Sequence, residues 1–379
     1  MHVVEVGGDV RELTGALRDA LDGGAAVFPV GATDPRRDEL RERFVPGEPV
    51  PDGTALVVAT SGSTGAAKGV VLSSAALRAS ATATHDRLGG PGRWLLALPG
   101  QHVAGIQVIV RSLLAGHEPA VLTGAFRPAA FAAAVPADRP RYTSLVPTQL
   151  ARLLSGPPEG IDALRAFDAV LIGGAAAAGP LLEQARATGA RIVTTYGMSE
   201  TAGGCVYDGQ PLDGVRVRIT DGSDVGRVEL AGPTLATGYR NDPEATATTF
   251  ADGWFRTSDL GTLADGALTI NGRADFMINT GGVKVAPAAV EAVLAAQPGV
   301  ADSCVVDLPD AEWGQRVAAA VVPADSADPP AAGHLQDAVR ATLGPPAVPR
   351  VVTFTAMLPL MDSGKVDRRQ VRRNLLDLG

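Results

Sequence analysis

TSGSTGAAKGV, residues 60–70, follows directly on the apolar run TALVVAT at residues 54–60. Glycine frees the backbone to approach an anion closely, hydroxyl groups supply hydrogen-bond donors, and a lysine adds a positive charge. The segment is therefore predicted to be a phosphate-binding loop at the end of a buried strand. The residues that carry this prediction are Thr60, Ser61, Gly62, Ser63, Thr64, Gly65 and Lys68.

The spacing of this loop differs from that of the Walker A loop of kinases and NTPases. In Walker A the lysine directly follows the second glycine and precedes Ser or Thr, whereas Lys68 precedes Gly69. An ordinary kinase or NTPase is thus disfavoured. Taken alone, the segment is equally compatible with a flexible Ser/Gly surface loop, so its interpretation depends on the rest of the chain.

Outward from the loop, apolar runs alternate with helical patterns. The order βαβα favours a mostly parallel sheet that binds ligands at the carboxyl ends of its strands. From about Val215 the runs become shorter and form hairpins, which predicts a second subdomain of β character. The predicted strands of the first part are 54–60, 93–99, 168–174 and 191–197, and its predicted helices are 73–88, 104–115, 148–154 and 180–188.

The pattern changes again after Arg273. A helix is predicted from Pro287, strands at SCVVDL (303–308), QRVAAAVVP (315–323) and RVVTFTA (350–356), and a helix over 335–343. This tail of about 100 residues has a length that folds alone as an α+β domain. The expected fold class is therefore α/β, with a large N-terminal domain of mostly parallel sheets plus a β subdomain, and a small mobile α+β C-terminal domain.

Composition narrows the class of partner. The chain has 379 residues, of which 33 are basic and 41 acidic, and a formal net charge of -8. This balance argues against a nucleic-acid surface and against a polybasic membrane patch, so small molecules are the expected partners. The N-terminus lacks the pattern of a signal peptide, and no run reaches the roughly 18 apolar residues of a membrane span. Cys205 and Cys304 are too isolated for a disulfide framework or zinc site, and we expect a cytoplasmic protein.

Four more segments follow the loop in a fixed order: TTYGMSET (194–201), WFRTSDLG (254–261), GRADFMINTGGVKVAPAAVE (272–291) and LPLMDSGKVDRRQ (358–370). With them, residues 54–369 resemble the acyl-adenylate-forming superfamily of acyl-CoA ligases, firefly luciferase and peptide-synthetase adenylation domains. Ala67 stands where family members carry proline, and Ser258 where glycine is usual. The resemblance implies ATP, Mg²⁺ and coenzyme A as cofactor and co-substrates.

The resemblance also implies roles for residues of the nucleotide site. Tyr196 is expected to stack on adenine, Ser199 to contact the α-phosphate, and Glu200 to hold Mg²⁺, which prefers carboxylate oxygen. Asp259 is expected to accept from the ribose hydroxyls. IGGAAAAG (172–179) resembles the adenine-side loop. The further residues expected to line the nucleotide or the acyl group are Gly173, Gly174, Ala175, Gly197, Met198 and Arg273.

In the C-terminal region, the resemblance implies a hinge at Asp275 and a pantetheine tunnel lined by Gly281 and Gly282. Lys365 is expected to reach into the site and to pair with the substrate carboxylate and the α-phosphate as negative charge builds there. Each motif alone has an ordinary alternative: a strand end and helix cap for YGMSE, a surface ion pair for Arg273, and a solvated turn for Gly-Lys. Five segments in one order favour the superfamily.

LPGQHVAGIQVIVRSLLAG (98–116) bears on the acid that is activated. His102 is expected beside the reacting carboxylate, with a hydrogen-bonded core histidine as the alternative. Arg111 suits bidentate capture of a second carboxylate, with a solvated helix residue as the alternative. Together with SETAGGCVYDGQPLDGVRV (199–217), this arrangement resembles the o-succinylbenzoate–CoA ligases of actinobacterial menaquinone biosynthesis. That family implies an aromatic dicarboxylic acid whose succinyl carboxylate is adenylated.

The sequence thus predicts an AMP-forming acid–thiol ligase in which Lys365, His102, Ser199 and Glu200 are catalytic. The expected units are a large domain of residues 1–272, a hinge at 273–275 and a small lid domain of 276–379. Only about 60 residues precede the predicted phosphate loop, fewer than in typical members of the superfamily. The oligomeric state therefore stays open, and a homodimer is one possible assembly. The alternatives are a ligase for another aromatic or dicarboxylic acid, an adenylation enzyme that loads a carrier protein, and a catalytically inactive nucleotide-binding protein.

Overall fold

The computed structural model describes residues 1–7, 9–47, 49–60, 67–220, 225–361 and 364–378. The strands in these ranges are β1 (His2–Val6), β2 (Val27–Gly31), β3 (Thr54–Ala59), β4 (Gly69–Ser73), β5 (Arg93–Leu96), β6 (Ala120–Val121), β7 (Arg141–Leu145), β8 (Ala169–Ile172), β9 (Ile192–Met198), β10 (Gly203–Tyr207), β11 (Gln210–Pro211), β12 (Arg216–Thr220), β13 (Gly226–Ala231), β14 (Gly238–Arg240), β15 (Phe250–Ala251), β16 (Trp254–Ala264), β17 (Ala267–Arg273), β18 (Ile278–Thr280), β19 (Val283–Val285), β20 (Val300–Asp310), β21 (Gly314–Pro323) and β22 (Val351–Phe354). The helices are α1 (Arg11–Leu21), α2 (Arg37–Phe44), α3 (Ser74–Leu88), α4 (Val103–Leu114), α5 (Pro128–Ala133), α6 (Pro147–Leu154), α7 (Pro158–Ala166), α8 (Gly179–Ala187), α9 (Pro243–Thr249), α10 (Pro287–Ala295), α11 (Ala332–Leu343) and α12 (Arg368–Leu376).

Helix α3 shows how local sequence sets an element. The Ser73 side chain accepts a hydrogen bond from the backbone N–H of Ala76, which satisfies one of the donors left free at a helix start. The helix ends at Gly89, which has a left-handed φ of 106°. The predicted helix over 73–88 is confirmed, and its cap explains where it begins.

Two sheets form the large N-terminal part. The first has the order β1-β2-β3-β4-β14, and the second has the order β11-β10-β9-β8-β7-β5-β6. In the second sheet the strands from β6 to β9 pair in parallel. The prediction of a mostly parallel sheet is confirmed there. The first sheet mixes parallel pairs with the antiparallel pairs β3–β4 and β4–β14.

Apolar side chains fill the space between these sheets. Helices α1, α3 and α4 lie between them, and α5 to α8 cover the other face of the seven-stranded sheet. The residues before the phosphate loop form β1, α1, β2 and α2, so this short segment completes the first sheet and shields its core. Leu17, Leu56, Leu77 and Ile106 are fully buried there, as expected for residues that exclude water from a common core.

The chain after residue 215 forms two further sheets. Strands β12, β13, β15, β16 and β17 make an antiparallel sheet, which confirms the predicted β subdomain. Strands β18 to β22 form the sheet of the small α+β domain, with α10 and α11 against one apolar cluster and α12 against another. Among the described residues, no helix combines the length and apolarity that a bilayer crossing requires.

Phe131→Ala should destabilise the large domain by about 3–5 kcal/mol, because it leaves a cavity in a packed aromatic cluster. Phe131 is fully buried, and its ring centroid lies 5.6 Å from that of Phe126 and 5.5 Å from that of Phe167. Urea unfolding followed by circular dichroism measures the loss. Leu378→Ala is the control, because Leu378 is 71% exposed and its removal should change stability by less than about 0.5 kcal/mol. Equal losses in the two variants would contradict this account of the core.

Candidate active site

The phosphate loop leaves and re-enters the first sheet between β3 and β4. The backbone N–H of Thr60 donates to the carbonyl of Lys68 at 2.8 Å, and its hydroxyl donates to the same oxygen at 3.3 Å. These bonds close the neck of the loop. The predicted loop residues Ser61, Gly62, Ser63, Thr64 and Gly65 lie outside the described residues.

The turn after β8 carries the second predicted glycine segment. The N–H of Gly173 donates to the carbonyl of Leu145 on the neighbouring strand β7 at 3.1 Å. A Cβ at this position would lie 2.2 Å from Thr195 Oγ1, so a side chain here would displace β9. Gly174 and Ala175 follow in the same turn and are exposed.

Strand β9 carries the third segment. Tyr196, Gly197 and Met198 end the strand, and Ser199 and Glu200 open a single 3₁₀ turn. A Cβ on Gly197 would lie 2.1 Å from the carbonyl oxygen of Gly203 on the paired strand β10. Only glycine fits this close approach, which lets the chain turn sharply and present Ser199 and Glu200 at the strand end.

Tyr196 and Arg273 meet at Asp259. The Tyr196 hydroxyl donates to Asp259 Oδ2 at 2.7 Å, and Arg273 lies 3.4 Å from Asp259 Oδ1. Asp259 on β16 is 6% exposed. Burial raises the pKa of Asp259, while Tyr196 and Arg273 act to lower it. Because the carboxylate is buried yet charged groups face it, this is a desolvated site of the kind that recognises polar ligands.

Lys365 of the small domain approaches these residues. A Cβ on Gly174 would lie 3.5 Å from its Cε, and the Thr148 hydroxyl on α6 donates to the carbonyl of Gly364 at 3.3 Å. Residue 365 as a whole is exposed, but protein atoms surround its ammonium group, and this desolvation lowers the pKa of Lys365. The nearby charge of Arg273 lowers this pKa further. The carboxylates of Asp259 and Glu200 act in the opposite direction. The tail lysine therefore shares one electrostatic environment with the nucleotide-site candidates.

Glu200 and Lys68 meet at a residue that the sequence did not single out. The Tyr239 hydroxyl donates to Glu200 Oε1 at 3.0 Å, and Lys68 Nζ lies 4.4 Å from the centroid of the Tyr239 ring. Tyr239 lies on the three-residue strand β14. Nothing local marks it, because its position depends on pairing between segments about 170 residues apart, Gly69–Val71 and Gly238–Arg240.

The donor set around Glu200 fits magnesium. Among the described residues no cluster of three or more His, Cys, Asp or Glu side chains could enclose a metal ion. Mg²⁺ usually keeps several waters and takes one or two protein carboxylates together with substrate phosphates. A single carboxylate that shares Tyr239 with Lys68 matches that preference. Burial raises the pKa of Glu200, and the Tyr239 hydroxyl and Lys68 act to lower it.

The two residues predicted to select the acid lie at opposite ends of α4. His102 is half-buried and occupies the N-cap position of the helix, where its side chain makes no capping hydrogen bond. Arg111 is nine positions later, about 13 Å along the helix axis, and only 3% exposed. The alternative of a solvated Arg111 is therefore wrong.

Arg111 sits in an aromatic pocket of the core. Its Nη2 donates to the Tyr207 hydroxyl at 3.2 Å, and its guanidinium lies 4.9 Å from the Trp94 ring centroid. Among the described residues its Nε has no hydrogen-bond partner, and no carboxylate pairs with its guanidinium. Burial lowers the pKa of Arg111, and burial together with this charge lowers the pKa of His85 to about 4. The protein thus maintains a buried cation at a cost in free energy.

The remaining predicted residues lie in the small domain and its connection. Asp275 follows β17, and Arg273 donates to it from Nε at 2.9 Å and from Nη2 at 2.7 Å. Gly281 and Gly282 form the exposed turn between β18 and β19, and a Cβ on Gly281 would collide with the Trp313 ring at 2.2 Å. The structure therefore groups Lys365 with the nucleotide candidates and keeps the two glycines in a separate hairpin.

Comparison with known families accounts for this arrangement. The AMP-binding enzyme family matches residues 13–240, and the AMP-binding enzyme C-terminal domain matches residues 289–365. The chain belongs to the AMP-binding enzyme family, which confirms the superfamily and the fold class expected from the sequence.

Its relatives include a probable 2-succinylbenzoate–CoA ligase of Mycobacterium tuberculosis, 46% identical over 98% of this chain and 97% of the relative. Among solved structures, an amide bond synthetase from Marinactinospora thermotolerans superposes with a TM-score of 0.78 at 30% identity, over 95% of this chain and 82% of that one. The o-succinylbenzoate CoA synthetase from Bacillus subtilis, in complex with an acyl-adenylate intermediate, gives 0.75 at 27% identity over 98% and 82%.

Asp259→Asn should leave the protein as stable as the parent or more stable at pH 7. The raised pKa of Asp259 means that the folded state binds a proton more tightly than the unfolded chain, so stability falls as the pH rises through the folded-state pKa. The neutral amide removes that penalty. The difference in unfolding free energy between variant and parent should shrink as the pH is lowered towards 3.8, the ordinary pKa of Asp. Urea titrations between pH 4 and pH 8 measure it; a variant that is less stable at pH 7, with a gap that closes at low pH, would contradict the assignment.

Proposed function

We propose that this protein ligates 2-succinylbenzoate to coenzyme A in two half-reactions, through an acyl-adenylate, as a step of menaquinone biosynthesis. The observation that carries the proposal is the approach of Lys365 to Gly174, in one electrostatic environment with Glu200 and Asp259. The similarity to the M. tuberculosis ligase extends over 97% of that protein's length, which supports the choice of acid.

In the first half-reaction an oxygen of the succinyl carboxylate attacks the α-phosphorus of ATP. The new oxygen–phosphorus bond forms as the bond to pyrophosphate breaks, so negative charge builds on the phosphoryl oxygens and the leaving group. Lys365 and Lys68 offset this charge, and Ser199 contributes a hydroxyl donor. Glu200 would hold Mg²⁺, and the bound ion would neutralise phosphate charge. His102, at the start of α4, orients the carboxylate.

The nucleotide itself is recognised by the residues around β8, β9 and β16. Tyr196 stacks on adenine beside the Gly173–Ala175 turn. Asp259 accepts from the ribose hydroxyls, with Arg273 beside it. The residues lining the junction between nucleotide and acyl group are Gly197 and Met198, and the loop residues assigned to the phosphates are Thr60, Ser61, Gly62, Ser63, Thr64 and Gly65.

In the second half-reaction the thiol of coenzyme A attacks the acyl carbon and loses its proton, and AMP leaves as the carbon–oxygen bond breaks. We propose that the small domain, residues 276–379, rotates on the large domain, residues 1–272, about a hinge at 273–275. The rotation withdraws Lys365 and brings the turn at Gly281 and Gly282 to the site, where the absence of side chains admits pantetheine.

Arg111 is the candidate for the second carboxylate of the acid. Its charge has no described carboxylate partner, and its Nε offers an unused donor in a buried, aromatic environment. A carboxylate of the substrate would supply both a counter-charge and an acceptor.

A cytoplasmic location is also proposed, and the buried, unpaired Cys205 and Cys304 support a reducing compartment. The homodimer considered from the sequence stays a prediction.

Lys365→Ala should reduce pyrophosphate release with 2-succinylbenzoate by about 10²–10³-fold, because one charge aimed at the reacting phosphate is lost. Thioester formation from supplied acyl-adenylate and coenzyme A should stay within about threefold of the parent, since Lys365 acts only in the first step. Arg340→Ala, which removes an exposed cation of the same domain, is the control. Equal losses in both half-reactions would reject the division of labour.

Arg111→Met should lower kcat/KM for 2-succinylbenzoate by at least about 30-fold, because a charge-assisted contact to the ring carboxylate is lost. Turnover of 4-oxo-4-phenylbutanoate, which lacks that carboxylate, should be the same in variant and parent. Unfolding free energy should be unchanged or raised, since a buried unpaired charge is removed. Lower stability with equal losses on both acids would make Arg111 a structural residue.

A further inference from the structure

Strand pairing places Tyr239 and Lys68 on one face of the first sheet. In the antiparallel pair β4–β14, Tyr239 lies opposite Val70. Residues two apart on a strand share a face, and the diagonal neighbour across an antiparallel pair is within reach of long side chains. Lys68 occupies that diagonal position, and its ammonium group lies 4.4 Å from the Tyr239 ring centroid. The ring face thus holds the cation at the end of the phosphate loop by a cation–π contact.

The hydroxyl of the same tyrosine reaches the second sheet. It donates to Glu200 Oε1 at 3.0 Å, while the backbone N–H of Ala236, three residues earlier, donates to the Glu200 carbonyl at 2.8 Å. The segment before β14 is therefore fixed to the 3₁₀ turn after β9 at both the backbone and the side chain. A carboxylate has about four lone-pair positions, so one bond from Tyr239 leaves it free to bind a cation.

Tyr239 is itself rigidly placed. It is 8% exposed, its N–H donates to the Thr246 hydroxyl at 2.9 Å, and its ring meets the Phe250 ring edge-on at a centroid distance of 5.5 Å. The backbone bond fixes the start of the side chain, and packing against Phe250 restricts the ring, so little further entropy is lost when the side chain keeps one rotamer. It can therefore orient the two charged groups that it contacts.

We propose that Tyr239 is a positioning residue that couples the phosphate-loop lysine to the metal-binding carboxylate. The hydroxyl fixes the rotamer of Glu200 and leaves its other carboxylate oxygen available, which would hold Mg²⁺, and the ring face holds the Lys68 ammonium group. The inference rests on the proposed binding of MgATP by these residues, but on no particular acid. One side chain thereby joins the lysine that precedes β4 to the carboxylate in the turn after β9.

The two halves of this side chain can be tested separately by nucleotide binding. Tyr239→Phe keeps the ring and removes the hydroxyl, whereas Tyr239→Leu removes both. Calorimetric titration with ATP in excess Mg²⁺ and in EDTA, without acid or coenzyme A, measures the gain in affinity that the metal provides. Tyr239→Phe should reduce this gain about five- to tenfold and leave the metal-free affinity within about twofold, since one hydrogen bond to a charged group is lost. Tyr239→Leu should weaken metal-free binding as well.

A double-mutant cycle with Glu200→Gln gives the second measurement. If the hydroxyl acts through Glu200, adding Tyr239→Phe to Glu200→Gln should change the metal-dependent gain by less than about twofold. Tyr142→Phe is the matched control for loss of a tyrosine hydroxyl, because Tyr142 is also buried but lies near the start of strand β7. Thermal unfolding of each variant checks that it folds.

The outcomes separate this inference from the proposed function. An unchanged metal-dependent gain in Tyr239→Phe, or additive effects in the double variant, overturns the role of Tyr239. Parent protein that binds MgATP with the expected variant pattern but releases no pyrophosphate with 2-succinylbenzoate supports Tyr239 and rejects the acid. Parent protein that shows no affinity for MgATP overturns both.

Discussion

The desolvated carboxylate of Asp259 is the constraint on which the site depends. Burial makes its charge costly, and the protein offsets that cost with the Tyr196 hydroxyl and the Arg273 guanidinium rather than with solvent. These two groups come from different sheets, β9 and β17, so the carboxylate fixes the β subdomain against the seven-stranded sheet. The same negative charge is felt by Lys365 from the small domain. One buried charge thus organises contributions from three parts of the chain.

Arg111, in the last turn of α4, is a second buried charge. Arg111 is buried against Trp94 and Tyr207 without a described carboxylate to neutralise it. Core positions of a helix are normally apolar because an unpaired charge there destabilises the fold. A buried, unpaired arginine lowers the stability of the fold, so its presence indicates a functional role. A guanidinium group is best suited to binding an acidic ligand.

How far the sequence could be interpreted depended on whether the signal was local. Helix α3 could be placed from its Ser73 cap and from the Gly89 that ends it, and the close approach at Gly197 follows from a glycine at the end of a buried strand. Pairing between distant segments has no comparable local sequence signal. The three-residue strand β14 has no periodicity to detect, and β1 to α2 completed a sheet whose other strands lie later in the chain. The burial of Arg111 was equally hidden, because a helix pattern does not show what covers its faces.

Arg273 bonds Asp259, the proposed ribose acceptor, and Asp275, the proposed pivot, with the same guanidinium group. A nucleotide that bound the first carboxylate would therefore act on the same guanidinium that holds the second. Thermodynamic reciprocity then applies: if AMP shifts the balance between the two domain orientations by some factor, each orientation changes the affinity for AMP by that same factor. If the proposed rotation occurs, release of AMP and return of the small domain would be one linked equilibrium, and the two acidic side chains that share Arg273 would contribute to it.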